Sequence, residues 1–216
     1  MSFKLLKEKI NSLIAESTLQ TLGRWLPLEF EGLENLPEKE PFLLASNHMS
    51  SLDGLILCSI VYRKRPISPV TTRGLFVPPL SWILNNVQAI PVDRASTNQA
   101  KTLDRILEAL KSKPVLIFPE GGRSVEGRIL KPKPGVGYLA AHAKVPVFAA
   151  VIEGTQHVLP KGAKFLHRHP VKIRIGKEVD FGTFERSTLP LKSTYQAMAE
   201  RVMWEIGELR ASEKDF

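Results

Sequence analysis

An α/β fold is expected for this chain: a single domain with a central sheet flanked by helices, preceded by an amphipathic helical element. Three observations predict it. The 216 residues, 43% of them hydrophobic, suffice for one domain with a sizeable core and leave little room for a second. From residue 41 onward, short β-rich runs alternate with helical patterns, as in a sheet with helices on its faces. No internal repeat, low-complexity segment or long linker interrupts that alternation.

The elements follow in order. Phe3, Leu6, Ile10, Leu13 and Ile14, then Leu19, Leu22, Trp25 and Leu26, recur at helical spacing with Lys4, Lys7 and Lys9 nearby. This pattern suits a helix packed on the core or one lying in a lipid interface with its lysines toward headgroups. Residues 1–28 are accordingly set apart as a membrane-associating element, and residues 29–216 as the main domain. Strands are predicted at Phe42–Ser46, Ile67–Thr72, Gln88–Val92, Val115–Pro119, Pro146–Ile152 and Val171–Ile175. Helices are predicted over Ser50–Tyr62, along Ala100, Leu103, Ile106, Leu107 and Leu110 with Ser96 or Thr97 as N-cap, and along Leu191, Tyr195, Met198, Val202, Ile206 and Leu209.

Thirty Lys and Arg against twenty-two Asp and Glu give a net charge of +8, which favours an anionic partner: phosphates, an acidic carrier protein or a lipid surface. Lys161, Lys164, Arg168, Lys172, Arg174 and Lys177 concentrate part of that charge, as a solvated face or a docking patch. Cys58 is the single cysteine, so no intrachain disulfide forms, and its apolar surroundings disfavour a reactive thiolate. No apolar run approaches the roughly 20 residues that span a bilayer. Lysines and Glu8 break any signal-peptide core, so the cytoplasm or a membrane's cytoplasmic face is expected. His167 and His169 lack the further ligands a metal site needs.

Two strands run directly into polar loops. Phe42–Ser46 leads into Asn47-His48, and Val115–Phe118 into Pro119-Glu120-Gly121-Gly122-Arg123-Ser124. Side chains five apart on one helix point about 140° from each other. His48 and Asp53 therefore meet only if His48 precedes the helix and Asp53 lies in its first turn. Ser50 and Asp53 also fit a capping box, which explains them without chemistry. A capping box leaves Asn47-His48 unexplained, at the strand ends where open α/β sheets bind ligands. The paired glycines allow close backbone approach to a ligand, and the Arg123 guanidinium suits phosphate.

The sequence resembles the glycerolipid acyltransferase family, whose blocks Asn-His-x-Ser-x-x-Asp and Phe-Pro-Glu-Gly-Thr-Arg-Ser read here as NHMSSLD at 47–53 and FPEGGRS at 118–124. The resemblance extends to Gly32-Leu33-Glu34-Asn35-Leu36-Pro37, Ala89–Arg94 and Val145-Pro146-Val147, and covers roughly residues 30–180. Arg73 stands where the family has lysine, Gly74 where it has an acid, and Gly122 where it has threonine. The resemblance implies the family's glycerol-3-phosphate acyltransferase-like fold. It also implies transfer of an acyl group from acyl-CoA or acyl carrier protein to lysophosphatidate, giving phosphatidate in phospholipid biosynthesis, with no cofactor.

In that scheme His48 is the general base and Asp53 orients it, Arg73 and Arg123 take the acceptor phosphate, and Glu120 positions the glycerol. Gly121, Gly122 and Ser124 complete the binding loop. The implied partners are the acyl donor, a lysophospholipid and an anionic membrane surface, the protein lying peripherally on the cytoplasmic face of the cell membrane. Another lysolipid or glycerol 3-phosphate stays open as acceptor. A serine hydrolase lacks its Gly-x-Ser-x-Gly elbow here, a P-loop enzyme its Gly-rich signature, and a nucleic-acid-binding module any recognised motif.

Overall fold

A computed structural model describes residues 10, 13, 17, 21, 25–78, 80–93, 99–124, 128–160, 162, 163, 165–182 and 191–211. Its elements run β1 (Leu28–Glu31), β2 (Leu43–Ser46), α1 (Asp53–Tyr62), β3 (Ser68–Thr72), α2 (Leu80–Asn86), β4 (Ile90–Val92), α3 (Gln99–Leu110), β5 (Val115–Ile117), α4 (Gly135–Ala143), β6 (Val147–Glu153), α5 (Thr155–Val158), β7 (Val171–Glu178) and α6 (Leu191–Ala211). The seven strands make one sheet in the order β1-β7-β6-β2-β5-β3-β4. Strands β2 to β6 are mutually parallel, whereas β7 runs antiparallel to β6 and β1 parallel to β7.

The predicted α/β class is the observed one, and the reason lies in β2. Phe42, Leu43, Leu44 and Ala45 are all fully buried, because alternate residues serve opposite faces of the sheet. Phe42 and Leu44 join a core with α1, through Ile56, Leu57, Ile60 and Val61. Leu43 and Ala45 join a second core with α3, α4 and α6, through Ile106, Leu110, Leu139 and Val202. A central parallel strand covered on both sides shows no alternation in its sequence.

Among the elements not predicted are β1 and the short helices α2 and α5. β1 has the alternation Leu28-Glu29-Phe30-Glu31, too short to stand out beside the helical pattern before it, and opens at the residue where the N-terminal element was expected to end. It is an edge strand paired with β7 through Leu28 and Val171, and its outward glutamates blunt that edge. The short helix α2 likewise carries too few apolar repeats to register. Of the N-terminal element, Ile10, Leu13, Ser17, Thr21 and Trp25 are helical. The rest of that pattern through Arg24, together with Arg94, Ser96, Thr97, Lys161 and Lys164, lies outside the described residues. Arg174, counted in the basic stretch, is paired with Glu153 of β6 at 3.0 Å. Among the described residues no helix is long and apolar enough to cross a membrane.

Helices α4 and α6 cross where Gly137 meets the main chain of Tyr195. A Cβ on Gly137 would lie 1.9 Å from the Tyr195 carbonyl oxygen, far inside van der Waals contact. Alanine gains up to about 1 kcal/mol of helix propensity over glycine. Forcing the helices apart costs about 1–3 kcal/mol. Gly137→Ala is therefore expected to lower the melting temperature by a few degrees, and an unchanged or raised melting curve would refute this reading of the crossing.

Candidate active site

β2 and β5 lie side by side in register, with Leu43, Leu44 and Ala45 opposite Val115, Leu116 and Ile117. The helix after β2 packs on one face of the sheet and the helix after β5 on the other. The two loops thus lead to helices on opposite faces and meet at the strand ends, the usual ligand position in an open parallel sheet.

Asn47 makes the first turn out of β2. Its side-chain amide donates to the Ile152 carbonyl and accepts from the Ile152 N–H, both at 2.8 Å. A buried side chain thereby supplies one more rung of the β2–β6 ladder while the main chain departs. His48 follows, before α1 begins, and Asp53 is the first residue of that helix. The geometric condition set by their spacing is met, and His48 Nδ1 lies 2.9 Å from Asp53 Oδ2.

Asp53 is wholly buried and takes four donors. Its Oδ2 accepts from the Met49 N–H at 2.6 Å, the Ser50 N–H at 2.8 Å and His48 Nδ1. Its Oδ1 accepts from Thr155 Oγ1 at 2.6 Å. Backbone N–H groups can only donate, so Asp53 acts as acceptor throughout and Nδ1 carries the proton. The lone pair then sits on Nε2. Phe118 stacks on the imidazole at 4.1 Å between centroids and fixes its plane.

The capping box forms only in half. Asp53 reaches back to the Ser50 N–H as the acid of such a box does, but the helix starts at Asp53 and not at Ser50. The Ser50 hydroxyl instead donates to the Leu159 carbonyl at 3.2 Å, tying the loop to the segment after α5.

The second loop grips the first through the main chain of His48. Glu120 Oε1 accepts the His48 N–H at 2.7 Å, and the Ser124 N–H donates to the His48 carbonyl at 2.7 Å. Glu120 Oε2 accepts the Leu130 N–H at 2.9 Å. Burial pushes the Glu120 carboxyl above its ordinary range, against the lowering effect of those two N–H donors. Both oxygens of Glu120 are thus engaged in positioning loops. The Ser124 hydroxyl donates to the Arg128 carbonyl.

Arg123 is exposed beside the first loop, its Nη1 donating to Ser51 Oγ at 2.7 Å. Gly121 turns the loop with φ of +68°, and Gly122 beside it has open space around its Cβ position. Arg73 begins the turn after β3, one strand beyond β5 at the same edge, and no bond joins it to the His48 cluster among those described. Cys58 is buried in α1 with its thiol pushed up to about 12, which keeps it inert.

Two contributors, Thr155 and Lys133, escaped sequence reasoning, and so did the bonds that Asn47 makes. Thr155 and Asn47 act across more than 100 residues of chain, which no local pattern reveals. Lys133 lies over Gly121, its Nζ 3.0 Å from where a Cβ on that glycine would stand, and brings a cation against the loop.

The arrangement holds an imidazole with one nitrogen protonated and the other free, on a loop to which an exposed guanidinium is bonded through Ser51. That suits proton abstraction from a hydroxyl whose neighbourhood is anionic. A sequence model described as Acyltransferase matches residues 27–153, more than half of the chain.

The chain belongs to the acyltransferase family.

Relatives of the chain include a chloroplastic 1-acyl-sn-glycerol-3-phosphate acyltransferase of Brassica napus, 34% identical over 70% of the chain and 44% of that protein. A 1-acyl-sn-glycerol-3-phosphate acyltransferase of Pseudomonas aeruginosa is 31% identical over 84% of the chain and 71% of that protein. The chain thus spans less than half the length of the plant relative and most of the bacterial one. Its fold matches the crystal structure of the 1-acyl-sn-glycerophosphate acyltransferase PlsC from Thermotoga maritima with a TM-score of 0.71. That match has 23% identity over 94% of this chain and 80% of that one.

Thr155 gives the candidate site a testable support. Thr155→Val keeps the shape but leaves a buried carboxylate oxygen without its donor, a loss of about 1–3 kcal/mol. Both melting temperature and turnover are expected to fall. If both matched the parent protein, the Thr155 bond would have no part in holding Asp53.

Proposed function

We propose that this chain transfers a fatty acyl group from acyl-CoA or acyl carrier protein to the free hydroxyl of lysophosphatidate, giving phosphatidate. The observation that carries the proposal is the His48–Asp53 pair, in which a carboxylate already bonded to three other donors fixes the proton on Nδ1. The names of the curated relatives support the acceptor.

The thioester donor is already activated, so no enzyme nucleophile or cofactor is needed. The alcohol is the reluctant partner, being protonated at neutral pH. His48 Nε2 takes its proton as the oxygen attacks the thioester carbonyl, a contribution of about 100- to 10,000-fold. The tetrahedral adduct collapses, the carbon–sulfur bond breaks, and the departing sulfur takes the proton from the imidazolium. Ester and thiol are the products, and His48 returns to its starting state.

Arg123 and Arg73 receive the acceptor's phosphate, each charged bond contributing about 1.5–3 kcal/mol. Glu120, with Gly121, Gly122 and Ser124, shapes the loop on which Arg123 stands. Residues 1–28 supply membrane association, and the protein works peripherally on the cytoplasmic face. The basic charge of the chain suits an anionic lipid surface there.

His48→Ala is expected to abolish thiol release from acyl-CoA in the presence of lysophosphatidate while leaving the circular dichroism spectrum intact. Turnover within threefold of the parent would remove His48 from the chemistry. Arg123→Ala is expected to lower kcat/KM for the phosphorylated acceptor by about ten- to a hundred-fold, consistent with the loss of one charged bond. An unchanged kcat/KM would show that the phosphate lies elsewhere.

A further inference from the structure

Lys133 has no part in the scheme above, yet the fold holds it against the loop that carries Arg123. Its main chain is fixed on both sides. The Lys133 N–H donates to the Pro119 carbonyl at 2.9 Å, and α4 begins at Gly135 with Val136 and Leu139 in the core. Its side chain then runs along the loop instead of away from it. The Cε, Cδ and Nζ of Lys133 lie 2.7, 2.9 and 3.0 Å from where a Cβ on Gly121 would stand. Glycine at 121 therefore serves twice: it takes the φ of +68° that turns the loop, and it leaves the lysine stem a place to lie.

A surface lysine lays its stem on the protein and leaves its ammonium to water or to a carboxylate. No carboxylate among the described residues pairs with Lys133. Glu120, next to Gly121, gives its two oxygens to the His48 and Leu130 N–H groups. Lys133 is exposed, and an ammonium carries three donors. In chain order the loop thus bears a cation lying on Gly121, open space at the Cβ position of Gly122, and a second cation at Arg123. Glu120 and Ser124 tie this same loop to the main chain of His48.

A phosphate monoester carries about 1.5 to 2 negative charges at neutral pH, whereas a phosphodiester carries a single charge. Attraction to a cation scales with the product of the charges, so each added ammonium favours the monoester. We propose that Lys133 is a specificity-determining residue, which receives a terminal phosphate monoester beside Gly122 together with Arg123 and reads its second negative charge. The inference rests on the proposed acceptor having such a phosphate. It adds the class refused: acceptors whose phosphate is esterified to a further headgroup.

The test compares the parent chain with Lys133→Met, which keeps a stem over Gly121 and removes the charge. Calorimetry measures the binding of octyl phosphate and of its methyl ester, a monoester and a diester with no hydroxyl to acylate. The ratio of the two affinities is taken within each protein, so any loss of folded protein cancels. Lys133→Met is expected to weaken octyl phosphate by about ten- to a hundred-fold, the loss of one charged bond, and its methyl ester by about three- to ten-fold, since half the charge feels half the attraction. In steady-state kinetics KM for lysophosphatidate is expected to rise in step with the octyl phosphate loss, with kcat within about twofold of the parent.

Equal losses on the two ligands would overturn the proposal and leave Lys133 as packing for the Gly121 turn. Unchanged affinities would overturn it too, as would a fall in kcat at constant KM or a parent chain that binds no octyl phosphate. If the parent chain binds octyl phosphate but acylates no lysophosphatidate, the functional reading fails, while the calorimetric ratio still decides for or against the phosphate contact.

Discussion

The geometry of this protein hangs on one buried carboxylate. Asp53 has no contact with water, and removing a carboxylate from solvent costs several kcal/mol even after relaxation. Four donors from two segments of chain offset that cost, each charged bond contributing about 1.5–3 kcal/mol. The terms are of similar size, so the site holds only as a whole. The backbone of Met49 and Ser50, the imidazole of His48 and the hydroxyl of Thr155 are each placed by the same anion. Its position in the first turn of α1 also lets the helix N-terminus favour the charge.

From that anchor the two loops form one body. Glu120 and Ser124 take hold of the His48 main chain from both sides. The imidazole is then fixed at its backbone by the second loop, at Nδ1 by Asp53 and on its face by Phe118. Three independent constraints leave its remaining nitrogen with a single direction. Such fixation matters because a base misplaced by about 1 Å can lose a hundredfold in rate.

The sequence made much of this legible because the informative features are local. The buried runs of β2 and β5, each ending in a polar loop, marked both the sheet and the edge that carries the site. The five-residue spacing of His48 and Asp53 set a condition on where α1 must begin, and the fold meets it. What escaped was non-local. Thr155 lies 102 residues from Asp53 and Ile152 lies 105 from Asn47, so only the parallel pairing of β6 with β2 brings them together. The Ser50–Asp53 pattern misled in part, since the serine hydroxyl turns to Leu159 once that distant carbonyl is present. β1 was hidden for a different reason: four residues of alternation carry little signal against a helical pattern that runs up to it.

The Asn47 rung has a dynamic meaning. Loops usually open far more readily than the sheet beneath them, and their exchange with solvent reports that local freedom. Here the last rung of the ladder is a side chain of the loop itself, so Ile152 cannot release its N–H unless the start of the His48 loop moves as well. The start of the loop and the end of the β2–β6 ladder are thereby coupled, and the one opens only with the other. The reactive group is thus held by the sheet that presents it.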